Sequence, residues 1–256
     1  MSIFLLIYLI KIFYFAQNTD IINFKINIMD ILSDFCFKSQ QLFEELPQNI
    51  KNDFKRQLIV KKYKKNQYIY TEGTFPAGMY LIINGLSKRV KNLNGNNEQI
   101  IYIYSKGELM GYASLIANEI YSDSVVAITE MEVGFLTVDN LIDLKRKYND
   151  FSDMMMKNLG HEFIVLSNMI TIYSSKTVRE RLALILLLLY EKFKKINENT
   201  DNSIFISRND IANYAGTAVE TVVRLLKEFK TEQIIDFNGK KIIILNHQKL
   251  LSLVGI

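Results

Sequence analysis

The hydrophobic pattern of this chain changes its period near Val138. Between residues 68 and 136, short runs of β-branched and aromatic residues alternate with glycine turns, which is typical of antiparallel strands. After Val138, apolar residues recur every three or four positions, as they do in helices. The sequence therefore predicts an α+β protein with an N-terminal antiparallel β-roll. The predicted strands cover residues 68–70, 79–83, 86–90, 100–104, 125–128 and 133–136.

Glycine-containing dipeptides mark the turns between these strands, and short helices are expected before them, between residues 29 and 54, with Pro47 opening one. Two of the dipeptides are Asn-Gly, which accepts a positive φ and so predicts hairpin turns. The turn signals are Glu72-Gly73, Asn84-Gly85, Asn94-Gly95 and Lys106-Gly107.

Composition excludes several classes of protein. With 256 residues, 49% of them hydrophobic, the chain can bury one large core or two ordinary ones. Cys36 is its only cysteine, so neither an intrachain disulfide nor an iron–sulfur cluster, which commonly needs four thiolates, is expected. His161 and His247 lack metal-ligand spacing, and no catalytic triad or phosphate-binding loop is visible, so an enzyme is not expected. The net charge of +4 permits a nucleic-acid partner without arguing for one.

The apolar N-terminal segment allows three interpretations. Residues 3–15 are almost all apolar, yet this run is shorter than the roughly 20 residues that a membrane helix needs. Residues 1–28 can be an extension produced by a wrongly assigned start, with Met29 the true one, or an ordered helix. They can also be a membrane anchor, which would require residues 1–17 to be translated and inserted.

A heptad pattern follows the predicted roll. Apolar residues step alternately by three and four, which favours a seam against a partner helix, an identical chain being the simplest candidate. Packing of this helix against the chain's own roll is the alternative. The predicted dimer seam consists of Met156, Leu159, Phe163, Leu166, Ile170 and Tyr173.

A separate C-terminal domain is expected from Thr177 onward, built around the apolar helix at residues 184–189. Ser207 can cap a short helix with Asp210 at its third position, and Gly216 suits the left-handed turn that ends it. Residues 217–220 suggest a second capping box at the start of another helix. Two short helices joined by a glycine turn indicate a helix-turn-helix.

The outward face of the second helix has the chemistry of major-groove recognition. Glutamate can accept from cytosine N4, and arginine can donate two bonds to guanine. Glu220 and Arg224 lie four residues apart, so they can read adjacent steps or pair with each other. Residues 234–244 predict a hairpin with an Asn238-Gly239 turn, a wing that would bring Lys240 near phosphates. The predicted DNA-binding residues are Ser207, Arg208, Thr217, Val219, Glu220, Thr221, Val223, Arg224, Lys227 and Lys240.

From Met29 onward the chain resembles the Crp/Fnr superfamily of bacterial regulators, through the motif at residues 207–226 and the glycine turns of the roll. The resemblance implies that the positions of Glu220 and Arg224 read a G·C pair, and that those of Arg208 and Thr221 approach phosphates. Val219 stands where the cyclic-AMP-responsive member has a base-reading arginine. The outer bases of the half-site should therefore differ from those in the site of the cyclic-AMP regulator.

The resemblance also implies a pocket in the roll. In nucleotide-binding members a glutamate holds the ribose and an Arg-Ser pair holds the phosphate; here Tyr112 replaces the glutamate, and Ser122-Asp123 stands near the Arg-Ser positions. Cyclic AMP is therefore not the expected effector. Two alternatives remain open: the pocket binds another ligand, or side chains fill it and the roll serves only as a scaffold. The candidate pocket residues are Gly107, Glu108, Gly111, Tyr112, Ala113, Ser114, Ser122, Asp123 and Ser124.

The expected protein is a cytoplasmic homodimer that binds palindromic operator DNA and contacts RNA polymerase, under the control of an unidentified effector. Its predicted parts are an extension (1–28), a cyclic-nucleotide-binding-like roll (29–145), a dimerisation helix with a hinge (146–176) and a winged helix-turn-helix (177–256). The alternatives are a cyclic-nucleotide-binding regulatory module and a membrane-tethered regulator.

Overall fold

The computed structural model describes residues 32–93, 97–196 and 203–255. The N-terminal extension and the Asn94-Gly95 turn fall outside these ranges. Two short helices, α1 (Ser39–Glu44) and α2 (Gln48–Arg56), precede the strands, and Pro47 stands directly before α2 as expected. The roll strands are β1 (Ile59–Tyr63), β2 (Tyr68–Tyr70), β3 (Gly78–Asn84), β4 (Ser87–Leu93), β5 (Asn97–Tyr104), β6 (Leu109–Met110), β7 (Ser124–Ala127) and β8 (Met131–Thr137).

Two antiparallel four-stranded sheets form the roll, in the orders β1-β8-β3-β6 and β2-β7-β4-β5. The antiparallel roll predicted from the glycine turns is thereby confirmed, although the prediction missed β1 and β6. β1 escaped notice because its residues 59–63 carry two lysines and it lies at a sheet edge, where one face is open.

The hairpin predicted at Asn84-Gly85 is wrong. Gly85 does have a positive φ of 94°, but β3 and β4 belong to different sheets, so this turn carries the chain from one sheet to the other. β4 and β5 do form a hairpin, with Leu93 opposite Asn97.

Aromatic residues dominate the core between the two sheets. Five tyrosines from four segments are buried there together with aliphatic residues, and Tyr70 stacks on Tyr121 with ring centroids 3.9 Å apart. A second core lies beneath α1 and α2, where Phe54 packs against Phe43 and Phe151. Aromatic side chains therefore make up much of both cores.

A short helix, α3 (Tyr112–Ala117), lies between β6 and β7, and two helices follow β8: α4 (Val138–Lys147) and the long α5 (Asn149–Ser175). After α5 only Lys176 and Thr177 intervene before α6 (Val178–Lys194). Lys176 is extended, and Thr177 forms a capping box with Glu180, so one helix ends and another begins where the predicted segment 146–176 ends.

The C-terminal part is built around α6, whose residues 182–189 are all buried. Its other elements are β9 (Ser203–Ile204), α7 (Arg208–Ala215), α8 (Val219–Thr231), β10 (Ile235–Asn238), β11 (Lys241–Ile244) and α9 (His247–Val254). The three strands pair in the order β10-β11-β9. This is a helix-turn-helix followed by a two-stranded wing, as predicted, apart from the short β9. None of the helices in the described ranges combines the length and the hydrophobicity that a membrane span requires.

Candidate nucleic-acid interface and the roll pocket

The local signals that start and end α7 act as the sequence predicts. The Ser207 hydroxyl accepts from the amide of Asp210 at 2.9 Å and donates to its carboxylate at 2.6 Å. Gly216 ends the helix in the left-handed region, with φ 61°. These contacts fix the direction in which the chain leaves α7.

The capping box predicted at Thr217 is wrong. Ala218 stands directly before α8 and makes no side-chain cap. The amide of Thr217 instead donates to Ala212 O at 3.1 Å, which commits this residue to the end of α7. Thr217 therefore belongs to the left-handed turn that ends α7. As a result, α8 begins one residue later than it would if Thr217 were its N-cap.

The outward face of α8 is open. Val222, Leu225 and Leu226 are buried against α7 and the rest of the domain, while Glu220, Val223, Arg224 and Lys227 are exposed; we call these four residues the reading face. The other predicted DNA-binding residues are all at least partly accessible. Ser207 and Lys240 are exposed, and Arg208, Thr217, Val219 and Thr221 are half-buried.

Arg224 pairs with Glu228 and not with Glu220. Its guanidinium lies 2.6 Å from the Glu228 carboxylate, one turn further along α8. Glu228 is itself held by Arg179 of α6 at 3.1 Å, so it is the better-placed partner. An exposed pair of this kind is worth about 0–1 kcal/mol, so Arg224 can leave it for a guanine at little cost.

The wing supports the residues at the start of α7. The guanidinium carbon of Arg208 lies 5.3 Å from the ring centre of Phe237, and burial lowers the pKa of Arg208. Lys230 reaches the same ring at 5.5 Å and pairs with Asp236 at 2.7 Å. The wing turn is Gly239-Lys240, one residue later than the predicted Asn238-Gly239. Lys240 is thereby placed at the tip of the wing.

The residues predicted for an effector pocket do not converge on one site. Ser114 lines a surface groove with Phe75 and Ile142, away from the roll interior. Glu108 is completely buried and bonds to Lys192 of α6. Gly107 and Gly111 both have positive φ and shape the turns beside β6, while Ala113 is half-buried on α3.

Tyr112 and Asp123 are both buried, and the partners of their polar atoms are protein side chains. The Tyr112 hydroxyl donates to Glu162 of α5 at 2.8 Å and accepts from Asn158 at 2.6 Å. Asp123 accepts two bonds from Arg89, at 2.9 and 2.6 Å, and one from Ser122 at 3.0 Å. Ser124 accepts from the amide of Glu72. We call Arg89, Tyr112, Asp123 and Glu162 the roll cluster.

Burial controls the charge state of the roll cluster. It raises the pKa of the Glu162 carboxyl to about 8, because the effect of desolvation exceeds that of the Tyr112 bond and of the Arg89 charge. Arg89 is the residue that the sequence analysis missed. It lies on β4, 34 positions before Asp123, so no local spacing could have revealed the pair.

The predicted dimer seam divides into two rows. Met156, Phe163 and Ile170, seven residues apart, are 60%, 73% and 68% exposed. Leu159 and Leu166 are half-buried and pack against the chain's own cores. Tyr173 does not belong to the open row, because its hydroxyl donates to Tyr214 O of α7. Part of the seam therefore packs inward, which was the alternative, and the other part remains uncovered.

Known proteins carry the same two parts in the same order. The cyclic nucleotide-binding domain family matches residues 60–148, and the Crp-like helix-turn-helix domain family matches residues 180–253. The chain is 30% identical over 197 residues to the fumarate and nitrate reduction regulatory protein of Vibrio cholerae, a match that covers 77% of this chain and 78% of that protein. It is 27% identical over 201 residues to the transcriptional activator protein Anr of Pseudomonas aeruginosa, and this match covers 77% of this chain and 82% of that protein.

Solved structures agree on the fold. A crp/fnr-family transcriptional regulator from Eubacterium rectale superposes with a TM-score of 0.66 at 20% identity, over 84% of this chain and 98% of that one. FixK2 from Bradyrhizobium japonicum superposes with a TM-score of 0.63 at 23% identity, over 77% of this chain and 96% of that one.

A cyclic-nucleotide-binding fold joined to a winged helix-turn-helix defines a DNA-binding transcription regulator and not an enzyme. The chain belongs to the Crp/Fnr family. This membership decides against a cyclic-nucleotide-binding module without DNA binding.

Proposed function

We propose that this regulator binds palindromic operator DNA as a homodimer joined along α5. The open reading face of α8 carries the proposal, since an exposed carboxylate and guanidinium one turn apart match the edges of a G·C pair. Glu220 has no side-chain partner in the part of the chain that the structure describes, so it is free to accept from cytosine. Val219 would contact a thymine methyl at most.

Phosphate contacts would come from the residues around the reading face. Hydroxyls and amides at the starts of α7 and α8 favour an anion, and lysines at the edge of α8 and on the wing add charge. The residues proposed for this role are Ser207, Arg208, Thr217, Thr221, Lys227 and Lys240.

The open row of α5 supports the dimer. Three large apolar side chains at heptad spacing are more than half exposed, which is costly for a helix that stays alone in water. A second copy of α5 would cover them in a symmetric seam. Two reading faces would then enter successive major grooves about 34 Å apart.

For the roll, we propose that cyclic AMP is not the effector. Asp123 neutralises Arg89, and Tyr112 and Glu162 use their polar atoms on each other, so a cyclic phosphate would meet no free cation there. Another effector that used this site would have to open the roll cluster. With one cysteine, the chain also does not fit an iron–sulfur cluster. We also propose that the regulator contacts RNA polymerase and that it is located in the cytoplasm.

Selection of bound duplexes from random DNA tests specificity and symmetry together. The expected product is an inverted repeat with one G·C pair per half-site that depends on Arg224. Arg224→Ala should lose about 1–3 kcal/mol of binding to the selected site, because one bidentate base contact disappears. Gel shifts measure this loss, with Arg146→Ala, an exposed arginine of α4, as the control.

Two outcomes would contradict the proposal. One is a selected pool without any preferred sequence. The other is equal affinity of Arg224→Ala and Arg146→Ala for the selected site. A single unrepeated half-site would contradict the dimer alone.

A further inference from the structure

A buried ion pair connects the roll to the DNA-binding domain. Lys192 lies on α6 and Glu108 lies in the roll, and their side chains are 5% and 1% exposed. The ammonium is 2.6 Å from the Glu108 carboxylate and 2.7 Å from the Tyr102 hydroxyl. Glu108 thus serves the contact between the two domains, although its sequence motif predicted an effector pocket.

The surroundings of this pair satisfy its polar atoms. The Tyr102 hydroxyl donates to one Glu108 oxygen at 2.9 Å and accepts from the amide of Phe37 at 2.8 Å. The other Glu108 oxygen accepts from the amide of Ser105 at 2.7 Å. The ammonium also lies 4.3 Å from the centre of the Tyr102 ring. Buried ion pairs add little cohesion compared with apolar packing, but they demand one geometry. This network therefore fixes an orientation more than it adds stability.

A second group of contacts acts on the first helix of the helix-turn-helix. Lys88 of β4 pairs with Asp210 at 2.8 Å, and Gln99 of β5 donates to Asn213 O at 2.7 Å. Tyr173 of α5 donates to Tyr214 O. All these contacts involve α6 or α7, whereas the reading face of α8 remains exposed in the same arrangement. The docked domain is consequently free to meet DNA.

We propose that Lys192 and Glu108 are positioning residues for operator binding, and that their pair holds the DNA-binding domain in the orientation that the roll presents to DNA. The proposal rests on the function proposed above. Neither side chain reaches solvent, so neither can touch DNA. Their effect is to keep the binding-competent arrangement populated, which sets the apparent affinity.

The test uses the full-length protein and two Lys192 variants. Lys192→Met removes the ammonium and leaves the Glu108 carboxylate buried without its cation, which drives the domains apart. We expect at least about a tenfold loss of affinity for the selected operator, because the competent arrangement becomes a minor one. We also expect faster protease cleavage at residues 174–176. Lys194→Met, an exposed lysine of the same helix, is the matched control.

The double variant Lys192→Met/Glu108→Leu replaces the pair by apolar side chains, so no unpaired charge remains and the free energy of unfolding should recover. Operator affinity should stay reduced, because apolar contact does not fix the orientation that the pair fixes. Recovered stability with reduced affinity separates a positioning role from simple loss of folding, and urea denaturation measures the stability in parallel. Unchanged or tighter operator binding by Lys192→Met would overturn the proposal. So would full recovery of operator affinity in the double variant. If the wild-type protein shows no sequence preference, the proposed function fails, and the cleavage measurements still decide whether the pair holds the domains together.

Discussion

The roll cluster and the reading face are built from the same chemistry, arginine with a carboxylate, but they use it differently. In the roll, Asp123 is buried, Arg89 is half-buried, and the two bind each other. On α8, Arg224 lies at the surface in a pair with Glu228, and Glu220 keeps its carboxylate in water. The difference shows that the residue types do not define a binding site; what matters is whether their polar atoms are available to a partner.

Breaking the roll cluster should give the largest effect. Arg89→Met leaves the Asp123 carboxylate buried without its cation, which should cost about 3–5 kcal/mol of the free energy of unfolding. Urea denaturation measures it. Lys91→Met on the same strand is the control, because that more exposed pair with Glu72 should contribute no more than about 1 kcal/mol. Equal midpoints for the two variants would mean that the roll cluster is not closed to solvent.

The next prediction concerns pH and sharpens the same contrast. Folding raises the pKa of Glu162 from its ordinary value near 4.5 to about 8, so the folded protein binds more protons than the unfolded one between these values. The contribution of Glu162 to stability must therefore fall as the pH rises through that window. Relative to the wild type, Glu162→Gln should gain up to about 2–3 kcal/mol between pH 5.5 and 7.5, which unfolding at the two pH values measures. Parallel pH profiles would show that Glu162 is ionised in the fold.

The smallest effect is expected on α8. Glu228→Gln removes the partner of Arg224, and because that pair is exposed, the free energy of unfolding should change by less than about 1 kcal/mol. Operator affinity should not fall, since Arg224 must leave Glu228 to reach a base. Glu232→Gln is the control, as Glu232 binds Arg179 but not Arg224. A tenfold loss of operator affinity in Glu228→Gln alone would mean that Glu228 orients Arg224 on the DNA.

The contrast between the two regions also explains what the sequence could predict. The buried side of α8 and its reading face follow from helical spacing, and the Ser207 cap and Gly216 are local signals. The pair of Arg224 with Glu228 instead of Glu220 depends on Arg179, which comes from another helix 49 positions away. The roll cluster and the Lys192–Glu108 pair join residues 34 and 84 positions apart. Periodicity carries no information about such contacts, so only the assembled fold reveals them.

The short connection after α5 has a geometric consequence for DNA recognition. Only Lys176 and Thr177 separate α5 from α6, and α6 is 17 residues long, about 25 Å. A rotation of about 10° at this joint would move the far end of α6 by about 4 Å, close to the roughly 3.4 Å rise of one base-pair step. Lys192 lies near that end of α6, so its buried pair with Glu108 would have to break before the domain could shift by one base pair on its site.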